Sequence, residues 1–206
     1  MYAATSQQSP LSSRGPGERA LAAELNGRPH YAHPMSSQHV YDKAKYHHET
    51  IEQHGLSEEH AANHTVVFLR WLIERRLMSE FFEQEAEGIL RQFRAGEVSI
   101  HQVYGWWDGC LVDDMRSEEG NAFAMHYFDF ERGCYIHDYI ETLQGRLPSE
   151  FHVDYTEDSY QKMRQVIERR YDEWKTPKKK SWGAILPCGL QSMRPVRRVA
   201  EFWSLG

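Results

Sequence analysis

The chain has 206 residues, a formal net charge of −6, and 40% apolar and 13% aromatic residues, which favours one domain with extensions or two small domains. No stretch approaches 18 consecutive apolar residues, which excludes a membrane-spanning helix. The Ser-, Gln-, Gly- and Pro-rich start, Met1 to Arg19, lacks the continuous apolar run of a secretory signal.

Charge is unevenly spread. Residues 40–175 carry 27 acids against 15 bases, a balance of −12, while residues 1–39 carry +1 and residues 176–206 carry +5. The basic end runs from Lys178-Lys179-Lys180 to Arg197-Arg198. An acidic body of this kind repels nucleic acid and favours basic partners, although acidic surfaces also serve solubility alone. Cys110, Cys134 and Cys188 are odd in number and match no metal or redox spacing. They read as three reduced thiols in a cytoplasmic protein.

In chain order, residues 1–39 read as a disordered or weakly structured extension with one short helix, Glu18 to Leu25, stopped by Gly27 and Pro29. The body, residues 40–175, reads as about six helices. Ser57 caps the first, which runs to Arg76, with Val66, Leu69, Leu72 and Ile73 on one side. Ser79 caps a second, ending at Ala95-Gly96, with Phe82, Ala86, Ile89, Leu90 and Phe93 inward. Ser99 caps a third, through Trp107, and Asp113 to Ser117 is a polar break. Ser117 caps a fourth helix, with Glu118 and Glu119 in its first turn. A fifth spans Tyr135 to Leu143, and Phe151-His152-Val153 reads as a short extended piece. Thr156 caps the last helix, whose Tyr160, Met163, Ile167, Tyr171 and Trp174 form a narrow apolar seam before Pro177. The expected fold class is all-α, a single multi-helix domain followed by a basic, Trp-containing tail.

Few motifs carry chemistry. His60 and His64 stand at i and i+4, so both can reach one metal ion, with His47, His48 or His54 as a third ligand. The metalloprotease pattern is incomplete, because His60-Ala61-Ala62-Asn63-His64 lacks the Glu that acts as base. The competing reading is a hydrogen-bonded or exposed histidine pair, and no cofactor is expected. Asp108, Asp113, Asp114, Glu118 and Glu119 form an acid cluster. It lacks the calcium-loop spacing and is explained by a helix N-terminus. His126 with Asp129, and His137 with Asp138, suggest relays without a nucleophile elbow to serve. Cys110 reads as a small buried thiol, and the Lys178–Lys180 run as a solvated tail.

Several segments together resemble a known family. They are Tyr41-Asp42-x-Ala44-Lys45-Tyr46-His47, Ala61-Ala62-Asn63-His64, and Phe68-Leu69-x-Trp71. Asp108-Gly109, Glu118-Glu119-Gly120-Asn121-x-Phe123-Ala124, Tyr135-x-x-Asp138-Tyr139 and Arg169-Arg170-Tyr171-x-x-Trp174 follow. Over Tyr41 to Trp174 the chain resembles a family of uncharacterised, mainly bacterial domains, one of the numbered domains of unknown function. The resemblance brings no activity. By analogy of size and charge, such domains look like immunity proteins of secreted toxins. The expected function is therefore an antidote that occludes a basic toxin, with acids steering the encounter. Its surface would comprise Asp108, Asp113, Asp114, Glu118 and Glu119 with Trp106 or Trp107 as aromatic anchor. The alternatives are a metal-dependent enzyme built on His60 and His64, and a scaffold domain that self-associates through its aromatic faces.

Overall fold

In the computed structural model, which describes residues 38–176, the chain order is β1 (Val40–Lys43), α1 (His48–Gln53), α2 (Asn63–Glu74), α3 (Glu80–Glu85), α4 (Glu87–Arg94), α5 (Ile100–Trp106), β2 (Cys110–Val112), α6 (Glu118–Tyr127), α7 (Tyr135–Tyr139) and α8 (Glu157–Lys175). The described residues are thus mostly helical, with one two-stranded antiparallel sheet. The expected helix Glu18 to Leu25, Cys188 and the basic tail lie outside the described residues. None of the described helices is long and apolar enough to cross a membrane.

Helix α2 is the axis. Ten of its twelve residues are buried, the mark of a helix enclosed on every side. It packs against α5 and α8. Thr156 starts α8 with a reciprocal capping box to Ser159, and Tyr160, Met163, Ile167 and Tyr171 form its buried stripe, as the spacing implies. Between them lies an aromatic core. Phe68 stacks on Phe128 at 4.6 Å, and Phe123, Tyr127 and Tyr135 surround it. Each such ring contributes on the order of 2–3 kcal/mol by leaving water. Trp71 is enclosed completely and its indole N–H donates to Glu168 at 2.9 Å, which satisfies its one polar atom.

Four expected elements come out differently. The first helix is split: Glu58–Ala61 is a 3-10 turn, and α2 begins only at Asn63. Ser57 does not cap it, because its hydroxyl pairs with His60 Nδ1 at 2.9 Å. The second helix bends at Ala86, giving α3 and α4, which lets Phe82 on one side and Ile89 and Leu90 on the other reach the same core. The fifth passes from α7 into a π-helical turn, Ile140–Gln144. The 151–153 piece is not extended: Glu150–His152 is a 3-10 turn, closed by Ser149 against His152 Nδ1 at 2.9 Å.

The sheet and α1 have no counterpart in the expected elements. β1 pairs with β2 as Val40↔Val112, Asp42↔Leu111 and Lys43↔Cys110, and the register shifts at Tyr41. That irregularity matters for side-chain direction. In a regular strand neighbouring side chains point to opposite faces, yet Tyr41 and Asp42 are both buried, as a bulge allows. Cys110 is a free, half-buried thiol, but Cys134 is disulfide-bonded. This corrects the expectation of three reduced thiols, since sequence spacing does not reveal which cysteines approach each other.

Candidate functional site

Some of the expected acids gather around a short segment that follows α2. Arg76 takes a left-handed φ of 58°, which ends α2 and releases Leu77–Ser79. Ser117 donates to the Leu77 carbonyl through both its backbone N–H (3.0 Å) and its hydroxyl (3.1 Å). The Ser79 N–H donates to the Met115 carbonyl at 2.9 Å and its hydroxyl to the Asp114 carbonyl at 2.6 Å. The same Ser79 hydroxyl oxygen accepts from the Phe82 N–H at 3.0 Å, capping α3. The start of α3, the Asp113–Met115 turn and the start of α6 are thereby brought side by side. Glu80, Asp113, Asp114 and Glu118 share one neighbourhood as a result.

Trp107 adjoins α3. Trp106 ends α5 and Trp107 follows it, both half-buried, with ring centres 5.7 Å apart. Trp107 reaches α3, lying 6.0 Å from Phe81 and 4.9 Å from Phe82. Asp108 follows in a left-handed turn, φ 57°, and is exposed. Glu119 faces elsewhere: Tyr171 and Lys175 on α8 both donate to it, and these two donors, Lys175 first, hold its carboxyl below the usual range. The expected list omits Glu80, Glu83 and Glu87, which with Gln84 line a shallow hollow. Their spacing of three and four residues puts them on one side of the α3–α4 pair, and that signal was readable in the sequence.

The histidines rearrange. His60 does not join His64. Its Nδ1 meets Ser57 and its Nε2 lies 3.2 Å from Asp154 Oδ1. The physical reason is the break at Ala62, which removes the i, i+4 relation that a continuous helix would have given the pair. His48 and His54 are exposed. His64 instead meets His47 and Asp42, all three buried. His47 Nε2 lies 2.8 Å from Asp42 Oδ1, and His64 Nε2 lies 3.4 Å from Asp42 Oδ2. The Thr65 hydroxyl also donates to Asp42 Oδ2. Burial pushes the Asp42 carboxyl up, but the hydrogen bonds from His47 and His64 outweigh it and leave the group well below the usual carboxylate range.

The other candidate groups have structural work. Asp138 is buried and accepts two hydrogen bonds from Arg170, each 2.8 Å, and one from Tyr127 at 2.9 Å. His137 is exposed and faces Glu141 rather than Asp138, so no relay forms there. His126 is exposed on α6, and Asp129 uses one oxygen to receive the N–H groups of Glu131 and Arg132. Burial pushes the Cys110 thiol up, the reverse of what an activated nucleophile needs. Arg116 is buried across the Tyr41 ring at 3.8 Å. Its Nε donates to Asn121 at 3.0 Å, while its two terminal nitrogens have no hydrogen-bond partner.

Comparison with known proteins places the chain in a family. Residues 40–153 match the family described as Domain of unknown function (DUF7832), and the chain belongs to it. No curated protein and no solved structure matches the chain.

Proposed function

We propose that this member of the DUF7832 family is a binding module that sequesters a basic protein, in the manner of an antidote that occludes a bacterial toxin. The observation that supports this is the convergence at Leu77–Ser79. There the exposed Glu80 and Glu118 and the Asp113–Asp114 turn come from elements joined side by side, Trp107 packs on Phe81 and Phe82 of α3, and Glu83 and Glu87 extend the acidic strip. Like charges gathered on one face raise the encounter rate with a cationic partner and reject anionic ones. Half-buried aromatic side chains beside such a face supply the kind of anchor that carries binding energy. A body with a charge of −12 over residues 40–175 reinforces the same preference.

The test is co-expression with the product of the adjoining gene. Rescue of growth and co-purification support the reading; the absence of both overturns it. Reversing charge at three positions, Glu80→Lys, Glu83→Lys and Glu87→Lys together, is expected to slow association about tenfold or more at low salt. A rate that is unchanged places the interface elsewhere and contradicts the reading. The alternative of a metal-dependent enzyme built on a histidine cluster around His60 and His64 finds less support, because His60 pairs with Ser57 and Asp154.

A further inference from the structure

Two imidazole nitrogens and a carboxylate meet at one point inside the protein. Asp42, His47 and His64 come from three different pieces of backbone. The register shift in β1 turns Asp42 inward beside Tyr41. His47 closes the 3-10 turn Ala44–Tyr46, its N–H donating to the Ala44 carbonyl at 3.0 Å, and it leads into α1. His64 is the second residue of α2. One potential ligand atom from each lies within 4.8 Å of the others.

The spacing suits a metal ion. Bonds of about 2.0–2.1 Å in a tetrahedral zinc site separate neighbouring ligand atoms by about 3.3 Å. His64 Nε2 and Asp42 Oδ2 are 3.4 Å apart, which matches, while His47 Nε2 lies 2.8 Å from the other oxygen, Oδ1, in a hydrogen bond that an ion would replace by a small opening of the pair. The surroundings hold the set in place. Thr65 donates to Asp42, and the Tyr135 hydroxyl donates to the His64 backbone carbonyl. Phe151 lies against both imidazoles, at 5.2 and 5.9 Å, and Phe130 and Tyr139 close over His64. Outer contacts of this kind orient metal ligands and keep a site dry.

Charge supplies a second argument. Asp42 is 2% exposed, and among the described residues no lysine or arginine forms an ion pair with it. A carboxylate enclosed this deeply is costly unless it is paired, and a divalent cation is one partner that would pair it. Two imidazoles with one carboxylate suit a borderline divalent ion. We propose that Asp42, His47 and His64 form a buried site for one divalent transition-metal ion of zinc type, which ties β1 to α1 and α2. Three side chains leave a tetrahedral ion one position, and burial of all three restricts its occupant to a water-sized ligand. The site uses none of the residues of the acidic face and stands or falls independently of it.

The full chain, freed of any affinity tag and stripped with chelator, is titrated with zinc alone and with cobalt(II) alone. The expected result is a single equivalent of either ion per chain, with cobalt showing the ligand-field absorption of a four-coordinate site. Chelator should lower Tm and zinc alone should restore it. His47→Gln and His64→Gln should each weaken binding more than about tenfold, while His60→Gln leaves stoichiometry unchanged. Stoichiometric iron in the protein as purified also upholds the site and changes only the ion. The proposal is overturned if the wild-type chain binds neither zinc nor cobalt and its Tm ignores chelator. It is equally overturned if the folded His47→Gln and His64→Gln variants keep the full equivalent. If those variants do not fold, the wild-type titration and its Tm response decide alone.

Discussion

Asp138 shows what a single buried charge requires. Its carboxylate is 4% exposed and accepts three hydrogen bonds, two from Arg170 and one from Tyr127. Arg170→Ala leaves that carboxylate inside with one donor, and it is expected to destabilise the fold by about 2–3 kcal/mol, below the full buried-pair cost because Arg170 is partly solvated. Glu173→Ala, which removes only an exposed contact to the same arginine, should cost less than about 0.5 kcal/mol. Urea denaturation of the two variants checks the contrast. At this scale the sequence was partly readable. Asp138 was noticed as the neighbour of His137, but its actual partner lies 32 positions away on α8, and no local spacing announces that. The histidines teach the same lesson in reverse. The i, i+4 pattern pairs His64 with His60 and offers His47 only as a third ligand, whereas the fold sets His64 beside His47 and Asp42. Asp42 was overlooked because its inward direction depends on an irregular strand only four residues long.

Glycines separate the elements that touch from those that stand apart. A Cβ on Gly120 in α6 would lie 2.4 Å from the Leu77 carbonyl oxygen, which already accepts two hydrogen bonds from Ser117. Gly120→Ala is therefore expected to cost more than about 2 kcal/mol, although alanine is the better helix former. Gly88 in α4 has nothing within 4 Å of the same position, so Gly88→Ala should stabilise by about 0.5–1 kcal/mol. Thermal unfolding of the pair reads opposite signs from one substitution type. Helix starts were the most legible elements. Ser79, Ser99, Ser117 and Thr156 all cap as their positions imply, and Thr156→Ala should cost about 1 kcal/mol. Ser57 fails as a cap because a neighbouring histidine takes its hydroxyl. The bend at Ala86 and the π-helical turn at Ile140–Gln144 depend on packing between distant segments, and helical periodicity does not encode them.

Taken as a whole, the molecule combines an acidic exterior with an aromatic interior, and both features have consequences for pH. Burial first, then carboxylates beside them, raise the hydroxyls of Tyr127 and Tyr160; the Tyr104 hydroxyl is raised chiefly by burial, and that of Tyr171 is pushed up to about 12. For each group the folded value exceeds the unfolded value of 10.0. Their contribution to stability is thus complete below pH 10 and is lost as pH rises through the folded values. Arg116 acts with the opposite sign, since burial lowers it to about 10, but it is one group against four. Net stability is expected to fall above about pH 10, with tyrosinate absorbance appearing in the same transition as unfolding. Full ionisation of all eleven tyrosines while the chain is still folded would contradict this.

The acidity of residues 40–175, a balance of −12, was fully legible in the sequence; the meeting of α3, the Asp113–Met115 turn and α6 was not, because Leu77–Ser79 joins these separate elements through backbone hydrogen bonds. The most direct test is calorimetric titration of the full chain with the purified product of the adjoining gene, at low and at high salt. The account predicts a stoichiometric complex with a basic protein that weakens as salt rises. Absence of binding at both salt concentrations would contradict it.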